Sequence, residues 1–344
     1  MSLEDLEMER SYMRRTELRF DNLPWGNLSW TSVPKLAVIA VLLTGCLSIH
    51  SAAQQPGQKT FSSPEDASKA LFMAIQSNDE KAMLDILGPD GKQIVSSGDA
   101  AEDAETRAKL TQKYQELHRL VKEPDGTVTV YIGAENWPTP IPLVNKGNSW
   151  YFDTDAGKKE ILYRRIGRNE MSTIVVCRQL VAAEKEYYAS QHNEYAPKIL
   201  SDEGQHNGLY WKAADGEPKS PIGPLVASAV ADSGAKTQNN APVPFRGYYY
   251  RILTRQGKNE PGGAKNYVVN GKMTEGFAFV AYPAEYRSSA VMTFVVDQDG
   301  VVYEKDLGKK TEAHAKSMKE YNPDSSWQKV EEMQEDTADA QEAK

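Results

Sequence analysis

The stretch DAGKKEILYRRIGRNEMSTIVVCRQLVAAEKEYYASQ, residues 155–191, is the longest helical pattern in the chain. Six apolar residues recur along one side of it at helical spacing: Ile174, Cys177, Leu180, Val181, Tyr187 and Tyr188. The arginines fall largely outside this stripe, and Asp155 is placed to cap the N-terminus of the helix. The stretch therefore predicts a long amphipathic helix that packs its apolar side on a sheet.

The chain before this helix predicts a smaller domain, residues 59–155. Ser63 followed by Pro64 is typical of a helix start, and DEKAMLDILG predicts a second helix that ends at Gly88. A third helical pattern extends from about Ser97 to Val121. The segments TVTVYIG, WPTPIPLV and SWYFDT then predict a small antiparallel sheet, with the proline-rich segment at an edge.

The chain after the long helix ends in strands. The segments RGYYYRILTRQ, KNYVVNGK, GFAFVAYPAEY and AVMTFVVDQDGVVYEKDL have the strand period and are rich in β-branched and aromatic residues. Within the last of them, DQDG at residues 297–300 is a hairpin signal. We therefore expect an α+β fold in two domains: N-terminal helices with a small antiparallel sheet in residues 59–155, and the long helix packed on an antiparallel sheet in residues 156–330.

The first 53 residues predict an export signal. The apolar run LAVIAVLL, residues 36–43, follows Lys35 and is shorter than the roughly 20 residues that a membrane span needs. Two processing sites compete: LTGC resembles a lipobox that would lipidate Cys46, whereas SAA, which ends at Ala53, suits signal peptidase and is favoured here. Residues 54–58 read as a linker. We expect a periplasmic or secreted protein that contacts the membrane only if Cys46 carries a lipid anchor.

Composition and charge exclude a nucleic-acid partner. The chain has 344 residues, 40% of them hydrophobic and 26% charged, with a formal net charge of −8. The stretch EEMQEDTADAQEAK, residues 331–344, has six acidic residues and one lysine and predicts a disordered acidic tail. The chain between leader and tail is nearly neutral, so it lacks the basic footprint of a nucleic-acid binder.

Several stretches resemble a family of exported bacterial proteins, Domain of Unknown Function 2950. They include ILGPDGKQIVSSGD, WYFDTDAGKKEILYRRIGRNE, DGEPKSPIGPLVA, GYYYRILTRQG and GGAKNYVVNGKMTEGFAFVAYPAEY, and the resemblance extends over residues 61–330. The chain departs from the family at SQHNEYA, which is shorter than the Asp-rich loop at that place. The resemblance implies export and no particular activity.

The second half also resembles the head domain of a type IV pilin or pseudopilin. The resemblance rests on a helix followed by EYAPKIL and on strands that close with GFAFVAYPAEY and VMTFVVDQDGVVYE. The hydrophobic half-helix that forms the core of pilin filaments has no counterpart here. The resemblance thus implies a helix-on-sheet fold and, without that half-helix, argues against a filament role.

The residues that could carry chemistry do not form a recognisable catalytic set, so we expect no catalytic residues and no cofactor. Cys177 lies on the apolar side of the helix, which favours a buried and inert thiol. The histidines lack the spacing of zinc ligands, and acidic residues such as Glu184 and Glu186 read as solvated charge. Asp297 and Asp299 place oxygen ligands as calcium would need them, although a role in the hairpin turn explains both.

Aromatic residues outside the obvious core are the better candidates for ligand binding. We expect five of them to offer exposed rings for stacking on a sugar or peptide: Tyr210, Trp211, Trp137, Tyr248 and Tyr250. The first two lie in a long loop, NGLYWKAADGEPKSPIGP, and loops of this length are often functional.

We expect a non-enzymatic binding or assembly module for an envelope protein or cell-wall component. Two alternatives stay open. One is an envelope hydrolase with a site in residues 202–224, where Asp202, Glu203 and His206 would face Tyr210. The other is a structural component related to pili or secretion, which would add a strand to the edge of the sheet.

Overall fold

The computed structural model describes residues 54–96, 100–190, 193–213, 219–229 and 242–331, without the side chains of residues 100–102 and 225. The predicted leader with Cys46, the tail from residue 332 and His192 lie outside the described residues. The chain divides into two compact units, the first ending at Lys158 and the second beginning at Lys159. Helices and antiparallel sheets confirm the α+β class. No helix among the described residues is long and apolar enough to cross a membrane.

The described part of unit 1 has four helices before its sheet, and local capping sets where the first two start. They are α1 Pro64–Gln76, α2 Glu80–Leu87, α3 Lys92–Val95 and α4 Ala100–Glu116. The Ser63 hydroxyl accepts the backbone N–H of Asp66 at 3.0 Å, which confirms the predicted N-cap of α1. Asp79 caps α2 in the same way through the N–H of Ala82 at 2.9 Å. Gly88 ends α2, as predicted.

The sheet of unit 1 has five strands: β1 His118–Lys122, β2 Val128–Ile132, β3 Trp137–Pro138, β4 Leu143–Lys146 and β5 Ser149–Phe152. Its order is β1-β2-β4-β5, and β3 also pairs with β2. The predicted third helix ends at Glu116, so the prediction that it continues to Val121 is wrong. Val121 instead pairs with Thr129 in the β1–β2 ladder, so pairing with β2 outweighs the helical period of this segment.

Unit 1 also includes the end of the predicted linker. Gln58 is buried, and its side-chain amide donates to the carbonyls of Ile86 at 3.1 Å and Phe152 at 2.8 Å. These bonds join the residue to α2 and β5. The chain is therefore already part of the folded unit at Gln58.

The long helix predicted from the opening stretch is α5, Thr154–Ser190, and the division between the units falls within it. Its N-cap differs from the prediction. The Asp153 carboxylate, not that of Asp155, accepts the backbone N–H of Ala156 at 2.9 Å. The helix therefore begins directly after β5, without an intervening loop.

The main sheet of unit 2 has five antiparallel strands in the order β14-β13-β12-β11-β6. They are β6 Tyr248–Leu253, β11 Ala278–Pro283, β12 Thr293–Asp297, β13 Val302–Lys305 and β14 Gln328–Lys329. Two short pairs lie between β6 and β11: β7 Arg255–Gln256 with β8 Lys265–Asn266, and β9 Val268–Val269 with β10 Lys272–Met273. Two further helices lie in the described part of the unit, α6 Pro224–Ser228 and α7 Thr311–Ser317.

Both faces of this sheet are covered, which explains why β11 and β12 are buried at every position. Tyr250 of β6 points to α5, where its hydroxyl lies 3.4 Å from that of Thr173. The next residue, Arg251, points to the opposite face and donates to the carbonyl of Ala315 in α7. Alternate residues of a strand face opposite sides, so α5 and α7 lie on the two faces of the sheet.

The β6 edge of the sheet is partly occupied. The backbone N–H of Tyr250 donates to the carbonyl of Ala229 at 3.0 Å, and Tyr248 exchanges backbone bonds with Phe245. A strand added at these two positions would have to displace these contacts. The backbone N–H groups that strand addition would use at these two positions are therefore already hydrogen-bonded.

Candidate functional site

The five aromatic residues predicted for ligand binding do not share one environment. Tyr248 and Tyr250 are fully buried in the core of unit 2, so the expectation that they are exposed is wrong. The Tyr248 hydroxyl donates to the carbonyl of Met292 at 2.8 Å. Because side chains alternate along β6, both rings point to α5. Their assignment as ligand-binding residues is therefore no longer supported by exposure.

The loop aromatics are also packed, whereas the aromatic residue of unit 1 is exposed. Trp211 is only 9% exposed and stacks on His206 with ring centres 4.4 Å apart. The backbone of Tyr210 bonds to that of Ile199 at 2.8 Å. Trp137 is 44% exposed and lies in unit 1. Residues 214–218 of the loop lie outside the described residues.

The carboxylate of Asp202 is committed to local contacts. It pairs with the ammonium of Lys198 and accepts from the side chain of Asn207 at 2.8 Å. These bonds, that with Lys198 first, lower the pKa of Asp202. A carboxyl with a lowered pKa is ionised at neutral pH, so Asp202 is poorly suited to donate a proton.

Cys177 is buried, as predicted. It is fully inaccessible, and burial raises the pKa of its thiol to about 12 even though the charge of Arg178 opposes the shift. The thiolate, which is the nucleophilic form, is therefore scarce at neutral pH.

Glu184 is buried, so its interpretation as a solvated charge is wrong. One of its oxygens accepts the backbone N–H of Ala196 at 2.8 Å, and the other has no partner among the described residues. Burial raises the pKa of Glu184 well above its usual range. The sequence could have indicated this burial, because Glu184 lies two helical turns after Cys177, on the same side of α5.

A second set of acidic groups lies around the end of β12. We call it the Asp297 cluster, and it has five members: Asp297, Asp299, Glu260, Tyr267 and Tyr321. Asp297 is the last residue of β12 and is 8% exposed. Its carboxylate accepts the N–H of Asp299 at 3.1 Å, and its carbonyl accepts that of Gly300 at 3.0 Å. The predicted hairpin turn is thus confirmed.

Gln256 positions two members of the cluster. Its side-chain oxygen accepts the hydroxyl of Tyr267 at 3.3 Å. Its side-chain nitrogen donates to the carbonyls of Pro261 at 3.2 Å and Gly263 at 2.8 Å, which fixes the loop that carries Glu260. The same amide therefore orients a phenol and holds an acidic loop beside it.

Backbone pairing brings Tyr321 to the same place. Its N–H donates to the carbonyl of Arg255 at 2.9 Å, and its carbonyl accepts the N–H of Gly257 at 2.8 Å. The residue is 1% exposed, so its ring is buried at this place.

Burial and neighbouring charges raise the pKa values of several of these groups. Burial, with repulsion from Asp299, raises the pKa of Asp297 to about 6, while hydrogen bonding and the charge of Lys185 oppose the shift. Burial first, and then the charges of Asp297 and Asp299, raises the pKa of Glu260. Burial and the charges of Asp297 and Glu260 also raise the pKa of the Tyr321 phenol.

This arrangement suits the binding of a positive group or the holding of a proton. No group of three histidine, cysteine or acidic side chains is arranged to hold a metal within the part of the chain that the structure describes. The calcium role suggested for Asp297 and Asp299 stays a prediction. Sequence reasoning missed Glu260, Tyr267 and Tyr321, because they come from separate segments that the β7–β8 pair and the bridge between Gln256 and Tyr321 bring together.

The fold defines a two-unit α+β protein with a group of carboxyls and phenols at the end of β12 in its second unit. The chain belongs to the family described as Protein of unknown function (DUF2950), which matches residues 58–330. The family resemblance seen in the sequence is thereby confirmed. The comparisons found no match among curated proteins and none among solved structures. The resemblance to a pilin head is not confirmed.

Proposed function

We propose that the chain is a non-enzymatic binding module of the cell envelope and that its ligand site is the Asp297 cluster. The observation that carries this proposal is the Asp297 carboxyl, which is 8% exposed at the end of β12 and bonded to the backbone of the acidic turn residue Asp299. A buried carboxylate costs free energy when it ionises, and a ligand of opposite charge offsets part of that cost. The envelope setting rests on the predicted export signal.

The acidic members of the cluster support the proposal for a second reason. A carboxyl that is buried at the end of a strand, with a raised pKa, destabilises the folded state when it ionises. Shifted pKa values are frequent at binding and catalytic sites, although structural ion pairs also produce them. Here the groups that repel one another are three carboxylates, and Lys185 is the cation that partly offsets them at Asp297.

A binding assay tests the module directly. Soluble peptidoglycan fragments and fractionated envelope extract are titrated into the purified chain, and retained ligand is identified by mass spectrometry. The variant Y321F should weaken binding about five- to tenfold, which corresponds to the loss of one hydrogen bond. The matched control is Y131F, which removes a phenol hydroxyl that bonds to Glu123 at 3.3 Å in unit 1.

Y131F should bind like the unchanged chain. The proposal is wrong if no fragment or extract component is retained. It is also wrong if Y321F and Y131F bind the ligand equally well, because the cluster would then take no part in binding.

A further inference from the structure

We propose that Glu184 is a pH-dependent switch: its neutral carboxyl holds the segment after α5 against the helix, and its ionised form releases that segment. We call residues 193–200 the switch segment. The proposed switch does not involve Asp297, so it is independent of the proposed ligand site.

The carboxyl of Glu184 has one partner where an ionised group would need several. The residue is fully inaccessible to solvent, and one of its oxygens accepts the backbone N–H of Ala196 at 2.8 Å. The other oxygen is buried and has no hydrogen-bond partner within the part of the chain that the structure describes. A buried carboxylate is costly unless a cation or several donors balance it, so these surroundings favour the neutral acid.

Charged neighbours do not offset the burial of Glu184. Burial raises its pKa well above the usual range, and its one hydrogen bond opposes the shift. Burial, and then charges that include that of Glu184, raise the pKa values of Tyr187 on α5 and Tyr195 on the switch segment. Both phenols are neutral below about pH 10, so neither supplies a positive charge. Glu194, which also acts on Tyr187, pairs with Lys272 of β10.

Other contacts of the switch segment lie next to Ala196. The backbone N–H of Tyr195 donates to the carbonyl of Met273 at 2.8 Å. The ring of Tyr195 contacts those of Tyr188 and Phe277, whose centres are 4.5 Å and 4.9 Å away. These backbone and aromatic contacts keep the segment closed until the cost of a buried charge outweighs them.

Release of the switch segment should extend to the loop that carries Tyr210 and Trp211. The backbone N–H of Tyr210 donates to the carbonyl of Ile199 at 2.8 Å, and the N–H of Ser201 donates to the carbonyl of Tyr210 at 2.8 Å. The loop is thus paired with the segment that Glu184 holds. Its aromatic residues should therefore become more mobile when the carboxyl ionises.

The position of Glu184 near the end of α5 allows the opening to remain local. The helix ends at Ser190, within two turns of Glu184, and element ends open at low free energy. Because burial raises the pKa, protonation favours the closed segment. This stabilisation is fully present below the ordinary glutamate pKa of about 4.5 and is lost as pH rises through the raised value.

Amide hydrogen exchange of the full chain tests the switch, with the exchange rates of Ala196 and of the β11 amides measured at pH 6 and pH 8.5. The ratio of the two rates within one chain cancels the general acceleration of exchange by hydroxide. In the unchanged chain, this ratio should rise at least tenfold between the two pH values. In E184Q it should stay constant, because glutamine keeps an oxygen for the N–H of Ala196 but does not ionise. The matched control is E186Q, at an exposed position of α5, which should behave like the unchanged chain.

Two outcomes overturn the inference. A constant ratio in the unchanged chain would show that the switch segment does not open separately from the sheet, and this result needs no variant. An equal rise in the unchanged chain and in E184Q would assign the opening to a group other than Glu184. If E184Q does not fold, the comparison of the unchanged chain at the two pH values decides.

Discussion

Replacing Asp297 with asparagine should stabilise unit 2 by about 3 kcal/mol at pH 8. The pKa of Asp297 is about 6 in the folded chain and about 3.9 in an unfolded one, and this difference corresponds to about 3 kcal/mol. Asparagine keeps the side-chain oxygen that accepts the N–H of Asp299. The substitution therefore retains the turn and removes only the buried charge.

The direction of the pH dependence follows from the raised pKa. Because the folded chain holds this proton more tightly than the unfolded chain, protonation favours the folded state. The stabilisation is fully present below about pH 4 and is lost as pH rises through about 6. The free energy of unfolding of the unchanged chain should therefore fall between pH 4 and pH 7, and D297N should lack this loss. The stabilities of the two chains should converge at acid pH.

Methionine oxidation in a urea series can measure the stability of each unit separately. Met273 is buried in unit 2 and Met83 in unit 1, so each becomes reactive to hydrogen peroxide when its own unit unfolds. In D297N at pH 8, the midpoint for Met273 should shift to higher urea while that for Met83 stays constant. The control D125N should not stabilise its unit, because hydrogen bonds lower the pKa of Asp125 instead of raising it. A midpoint for Met273 that D297N leaves unchanged would contradict the account.

Replacing Gly276 with alanine should destabilise unit 2 by about 3 kcal/mol. Gly276 has a φ of +133°, which side chains rarely adopt. An added Cβ would lie 2.5 Å from the Gln298 amide oxygen and 2.9 Å from Cε1 of Tyr267. Gln298 can rotate away, but the Tyr267 ring is fully buried, so the clash must shift the phenol or the backbone.

The matched control for this change is G271A. Gly271 also has a positive φ, +80°, but an added Cβ would meet nothing within 4 Å. Its cost should be about 1 kcal/mol, from backbone conformation alone. The Met273 oxidation midpoint should fall much further in G276A than in G271A. Equal midpoints would show that the close approach of Tyr267 to Gly276 does not constrain the cluster.

Much of the fold could be predicted from local patterns. Periodicity found α5, the predicted cap at Ser63 fits the first helix of unit 1, and DQDG marked the turn after β12. The error at Val121 shows the limit of such reasoning. A short apolar period fits both a helix and a half-buried strand, and pairing with a distant strand decided between them.

The candidate site was less predictable for a different reason. Asp297 was noticed because a turn motif surrounds it, whereas Tyr267 and Tyr321 reach it through long-range backbone pairing. Tyr248 and Tyr250 show the converse, because the same residue types proved to be core. Composition alone does not distinguish a tyrosine that packs in the core from one that lines a site.

The central claim is that Asp297 is a buried carboxyl at the end of β12, and its pKa tests this claim most directly. With ¹³C-labelled aspartate, the carboxyl signal absent from D297N is followed from pH 3 to pH 8. The account predicts a pKa of about 6, because burial disfavours the ionised carboxylate. A pKa near 4 would contradict it.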